Sequence, residues 1–120
     1  MARILIVDDS IVSRTNLKNI LADARHEVVG EAVDGEDGVA KFLSLRPDMV
    51  TMDITMPKLN GIECLKRILG HDPEARVMMI SALGQGAKIL EAIDSGARHY
   101  VTKPFEPDKV IEAVTEVLGD

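Results

Sequence analysis

Short apolar runs alternate with longer segments whose apolar positions recur every three or four residues, from one end of the chain to the other. Ile4-Leu5-Ile6-Val7 is a continuous run rich in β-branched residues that stops at Asp8-Asp9. It reads as a strand buried on both faces. Ser10 can cap a following helix whose stripe is Leu17, Ile20, Leu21 and Ala24. Val28-Val29 continuing toward Ala32-Val33 is a weaker strand. Asp34-Gly35 is a turn signal and nothing more, and it leads into a helix carrying Val39, Ala40, Phe42 and Leu43 that stops near Pro47. Met49-Val50-Thr51-Met52 is a strand ending at Asp53. Asn60-Gly61 opens a helix that buries Ile62, Leu65, Ile68 and Leu69. Val77-Met78-Met79-Ile80 ends at Ser81, and the next helix presents Ile89, Leu90 and Ile93 before Gly96. His99-Tyr100-Val101-Thr102 ends at Lys103-Pro104. Pro107 sits in the first turn of a last helix striped by Val110, Ile111, Val114, Val117 and Leu118. Strand–helix pairs joined by short connections predict an α/β domain with a parallel sheet covered on both faces.

Composition narrows the function classes. The 120 residues suit one domain, 1–120, with no repeat or linker inside it. A net charge of −6 and the lack of any Lys/Arg cluster argue against nucleic acid and against anionic membranes as partners. No apolar stretch is long enough to span a bilayer, and the N-terminus lacks a signal peptide's apolar region. One cysteine, Cys64, rules out an internal disulfide and fits a cytoplasmic protein.

In an open parallel sheet, ligands bind beyond the carboxyl ends of the strands, where the strand order reverses. Asp8, Asp9, Asp53, Ser81 and Lys103 all stand at such ends. Three carboxylates brought together repel one another and should raise at least one pKa, a conflict that a divalent cation removes. With oxygen donors only, that cation is Mg²⁺ or Mn²⁺ rather than zinc. An ammonium and a hydroxyl opposite could neutralise and hydrogen-bond a phosphoryl group. The set reads as a phosphoryl-transfer site with a carboxylate nucleophile.

Val7-Asp8-Asp9-Ser10, Met52-Asp53-Ile54-Thr55-Met56-Pro57 with Asn60-Gly61, Ser81-Ala82 and Tyr100-Val101-Thr102-Lys103-Pro104-Phe105 together resemble the receiver domain of two-component response regulators. The resemblance covers essentially the whole chain, and its length is most similar to the stand-alone chemotaxis members. It implies a flavodoxin-like doubly wound (βα)5 fold with a five-stranded parallel sheet of order 2-1-3-4-5. By the same resemblance Asp53 accepts a phosphoryl group from a histidine kinase. Asp9 is a direct Mg²⁺ ligand, Asp8 a water-mediated one, and the Thr55 carbonyl completes the protein's share of the shell. Lys103 pairs with the carboxylate and then with the phosphoryl group. Ser81 is the switch hydroxyl, the Ala82 N–H a second phosphoryl donor, and Tyr100 the switch aromatic. The Lys103-Pro104 bond is expected to be cis. The implied protein is not a turnover enzyme but a phosphoacceptor that catalyses its own phosphorylation and dephosphorylation. Its implied partners are a chemotaxis kinase and a downstream target such as a flagellar motor switch component, and it is expected to act as a monomer.

Other readings stand beside this one. A receiver serving a phosphorelay outside chemotaxis would look the same. A flavodoxin-like flavin binder would want a Gly- or Ser/Thr-rich first loop, whereas two carboxylates open it here. A haloacid-dehalogenase-like phosphatase would want a second aspartate where Thr55 stands. Met49, Met52, Met56, Met78 and Met79 read as core filler. His26, His71 and His99 share no metal spacing, and Cys64 reads as a buried or half-buried thiol.

Overall fold

The strands are β1 (Arg3–Val7), β2 (Glu27–Ala32), β3 (Met49–Asp53), β4 (Val77–Ser81) and β5 (His99–Thr102). The helices are α1 (Ile11–Asp23), α2 (Gly35–Leu45), α3 (Gly61–His71), α4 (Gly86–Asp94) and α5 (Pro107–Leu118), so strand and helix alternate throughout. This computed structural model describes residues 1–119, and Asp120, the last residue of the predicted domain, lies outside the described residues.

All strand pairs are parallel, in the order β2-β1-β3-β4-β5. This is the expected 2-1-3-4-5 arrangement. The order reverses between β1 and β3, because β1 pairs with β2 on one side and with β3 on the other. The carboxyl ends of those two neighbours carry Asp8 and Asp53.

The alternation of side chains along each strand divides the core into two layers. Ile4 and Ile6 face one way, with Met49, Met78, Ile80 and Val101, and meet Leu17 and Leu21 of α1 and Val110, Val114 and Val117 of α5. Leu5 and Val7 face the other way, with Val50, Met52, Val77 and Met79, and meet Phe42, Ile62, Leu65, Ile68 and Ala92. The five methionines named above are buried in these layers, as expected of core filler. β2 lies at an edge, and its half-exposed pattern explains its weak signal.

Capping follows the sequence closely. The Ser10 hydroxyl accepts from the Ser13 N–H and the Asn60 side chain from the Glu63 N–H, which fixes where α1 and α3 begin. The Asp34-Gly35 pair is more than a turn. The Asp34 carboxylate caps α2 by accepting from the Asp37 N–H at 2.8 Å. A Cβ on Gly35 would stand 2.1 Å from the Leu59 carbonyl oxygen, so glycine lets α2 approach the loop after β3. The stripe read on α4 is also corrected. Ala92 is its buried residue, while Leu90 and Ile93 are 68% and 39% exposed. Positions two apart on a helix point to nearly opposite sides, so a helix resting on Ala92 turns Leu90 to solvent.

Candidate functional site

Four chain segments converge at the carboxyl edge of the sheet. β1 delivers Asp8 and Asp9, β3 delivers Asp53, β4 delivers Ser81, and the segment after β5 delivers Lys103. Each apolar run holds its strand in the core until a polar residue emerges at its end. The backbone locks the last two together: the Lys103 N–H donates to the Ser81 carbonyl at 2.8 Å. The Lys103-Pro104 bond is cis, as expected.

The Lys103 ammonium lies between two carboxylates, 3.1 Å from Asp8 Oδ2 and 3.3 Å from Asp53 Oδ2. Carboxylate oxygens of Asp8, Asp9 and Asp53 all lie within 4.8 Å of one another. Asp8 and Asp53 are buried, and Asp9 is exposed at the mouth of the cluster. Asp8 is held by its neighbours. Its Oδ1 accepts from the Ser10 N–H at 2.8 Å, and its carbonyl accepts from Arg14 Nη1 at 2.7 Å. Arg14 also pairs with Glu31 at 3.1 Å and so braces the end of β1 against the edge strand.

Charge within this cluster is unbalanced. Burial and the Asp8 carboxylate push the Asp53 pKa from 3.8 up to about 6, Lys103 pulls against them, and Asp9 adds a smaller upward push. Burial opposes the charge of Lys103, but its hydrogen bond to Asp8 and the Asp53 and Asp8 charges outweigh that cost and hold its pKa above 10.5. One ammonium does not neutralise three carboxylates. A hard divalent cation fits this all-oxygen donor set and would remove the remaining repulsion.

Ser81 is fully buried, and its hydroxyl has no hydrogen-bond partner. A buried hydroxyl without a partner costs free energy and is satisfied by whatever acceptor arrives within reach. The Ala82 N–H, on the adjoining loop, is not free. It donates to Gln85 Oε1 at 2.7 Å, and Gln85 Nε2 donates to Thr55 Oγ1 at 2.8 Å. Thr55 is exposed, on the loop after β3. Tyr100 points outward and is 43% exposed. With Val101, Lys109 and Ala113 it lines a groove of about 420 Å³ between β5 and α5.

Three contributors were not singled out by sequence reasoning. Arg14 and Gln85 act through loop-spanning hydrogen bonds that no local pattern signals. Gly61, quoted only as part of a motif, packs directly on the site. Its N–H donates to the Ile54 carbonyl at 2.8 Å, and a Cβ there would stand 2.0 Å from the Asp53 carbonyl oxygen. Cys64 is buried, and burial pushes its thiol pKa up to about 12. His26 and His99 make structural contacts, to the Ala2 N–H and to Glu116 respectively.

Comparison with known proteins agrees with this fold. Residues 4–115 match the response regulator receiver domain. The chain is 49% identical over 115 residues to the chemotaxis protein CheY of Thermotoga maritima, covering 96% of each chain. It is 47% identical over 117 residues to the chemotaxis protein CheY of Bacillus subtilis, covering 98% of each. The crystal structure of the CheX–CheY–BeF3–Mg²⁺ complex from Borrelia burgdorferi superposes with a TM-score of 0.92 at 39% identity, over 96% of this chain and 87% of that one.

Proposed function

Because this chain belongs to the response regulator receiver domain family, and so to two-component signalling, we propose that Asp53 accepts a phosphoryl group from the phosphohistidine of a chemotaxis-type kinase. The observation that carries this reading is the Lys103 ammonium set between Asp8 and Asp53 beside the partnerless Ser81 hydroxyl. A carboxylate oxygen of Asp53 attacks phosphorus, a P–O bond forms, the P–N bond breaks, and the electron pair returns to the imidazole. Lys103 neutralises the transferred oxygens, and the Ser81 hydroxyl gains its missing acceptor.

Asp9, Asp53 and the Thr55 carbonyl would hold Mg²⁺, with Asp8 acting through water. The ion supplies charge neutralisation for carboxylates and phosphoryl oxygens alike. The Mg²⁺ and beryllofluoride named in the complex of the Borrelia relative support this assignment. Hydrolysis of the acyl phosphate by water then resets the protein, so it takes part in its own phosphorylation cycle without turning over another substrate.

Phosphorylation adds up to about two negative charges at Asp53. Drawing Ser81 toward the phosphoryl oxygens shifts the end of β4. Tyr100, on β5 opposite Met79 of β4, then turns inward and reshapes the surface around the groove between β5 and α5, where a target protein docks. Incubation with acetyl phosphate tests the reading. Labelling should require Mg²⁺ and vanish in Asp53→Asn; full labelling of that variant would place the nucleophile elsewhere.

A further inference from the structure

The loop between β4 and α4 (residues 82–85) is held by one side chain. Gln85 occupies the N-cap position of α4 yet makes no side-chain capping bond there. Instead its carboxamide reaches back, with Oε1 accepting the Ala82 N–H at 2.7 Å and Nε2 donating to Thr55 Oγ1 at 2.8 Å. Gly84, at φ +85°, makes the tight return that brings the carboxamide over Ala82. Leu83 at the tip of the loop is 84% exposed, so apolar packing does not anchor it. The same carboxamide therefore joins the two loops that flank Asp53, the one that follows β3 and the one that follows β4.

We propose that Gln85 is a latch that holds the site in its resting arrangement by occupying the backbone N–H a phosphoryl oxygen needs. This rests on the reading of Asp53 as phosphoacceptor and of the Ala82 N–H as a hydrogen-bond donor to the phosphoryl group, the role that the resemblance implies. An amide N–H makes one good hydrogen bond, so phosphoryl oxygen and Gln85 Oε1 compete for Ala82. When the phosphoryl group takes the N–H, the carboxamide loses one bond, and movement of the loop toward Asp53 strains the bond to Thr55. Whatever stabilises the resting arrangement weakens binding of the phosphoryl group by the same factor. Gln85 is a positioning residue: it touches no reacting atom and sets how readily the loop leaves its resting place.

The test measures beryllofluoride affinity in Mg²⁺ for the parent, Gln85→Ala and Thr55→Val, together with the Ala82 amide proton shift in each. With two partly exposed hydrogen bonds removed, Gln85→Ala should bind beryllofluoride about three- to tenfold more tightly. Thr55→Val, which keeps the backbone and cuts the second bond only, should shift affinity in the same direction by less. In the resting state the Ala82 amide proton should move upfield in Gln85→Ala, and with beryllofluoride bound it should match the parent. Unchanged or weaker affinity in Gln85→Ala overturns the latch, as does an unmoved Ala82 resonance in its resting state. If the parent binds no beryllofluoride, the phosphoacceptor reading fails, and the resting Ala82 resonance still decides whether the latch exists.

Discussion

Replacing Asp53 by asparagine should make the protein more stable at neutral pH while abolishing its proposed phosphorylation. The carboxyl pKa rises from 3.8 to about 6 because burial and Asp8 disfavour its charge more than Lys103 favours it. A group whose pKa rises on folding holds its proton more tightly in the folded state. Its contribution to stability is complete below 3.8 and is lost as pH climbs through about 6. The full difference corresponds to up to about 3 kcal/mol, and screening at the open mouth of the cluster reduces it to about 1–3 kcal/mol. The asparagine keeps the shape and carries no charge. Urea unfolding at pH 7 in a chelator should therefore show Asp53→Asn more stable than the parent by about 1–3 kcal/mol. The gap should narrow steadily toward pH 4, where the folded parent carries a protonated Asp53. Adding Mg²⁺ at tenfold its Kd should stabilise the parent by about 1.4 kcal/mol and the variant by less. A variant less stable than the parent at pH 7, or a gap independent of pH, would refute the claim that charge crowding at Asp53 strains the fold.

Three further outcomes follow from the same geometry. Lys103→Met should drive the Asp53 pKa above about 6, read from its carboxyl carbon shift, because Lys103 is the group that opposes the rise. Gly61→Ala should cost about 1–3 kcal/mol in urea unfolding, as overpacking does, and slow labelling by acetyl phosphate, because the new Cβ must push the backbone that carries Asp53. Ser81→Ala should stabilise the resting protein by about 1 kcal/mol by removing a buried partnerless hydroxyl, yet lose the Tyr100 ring-resonance shift that beryllofluoride induces in the parent.

The fold was legible because β1, β3 and β4 are largely apolar runs, and such runs must be buried on both faces, whereas the edge strands β2 and β5 carry weaker signals. The place of the chemistry was legible for the same reason: each run stops at a polar residue, and a parallel sheet puts all those stops on one edge. Less visible was anything decided by how elements approach one another. Leu90 and Ile93 have helical spacing that fits a core stripe, but a helix resting on Ala92 leaves them outside. Gly35 and Gly61 look like turn residues, and only the packed chain shows the carbonyl oxygens that exclude a Cβ at each. Arg14 lies on a helix facing the end of a strand from another part of the chain, so its bond to the Asp8 carbonyl has no local signature.

The resting site is a set of deferred interactions rather than a finished one. Asp53 keeps a charge that its surroundings resist, and Ser81 keeps a hydroxyl without a partner. Both costs fall when a cation and a phosphoryl group arrive, so both favour the active arrangement. A site with only these features would have nothing to hold the loop after β4 in its resting place before the phosphoryl group arrives. Gln85 supplies an opposing contribution, since its two bonds exist only while the loop after β4 stays in place. A switch that responds to one phosphoryl group needs a gap of a few kcal/mol between its states, large enough to keep it off and small enough to be overturned. Two exposed hydrogen bonds, each at the low end of about 0.5–1.5 kcal/mol, contribute about 1 kcal/mol toward that gap. A much stronger restraint, such as a buried apolar anchor at Leu83, would leave the protein unresponsive to its signal.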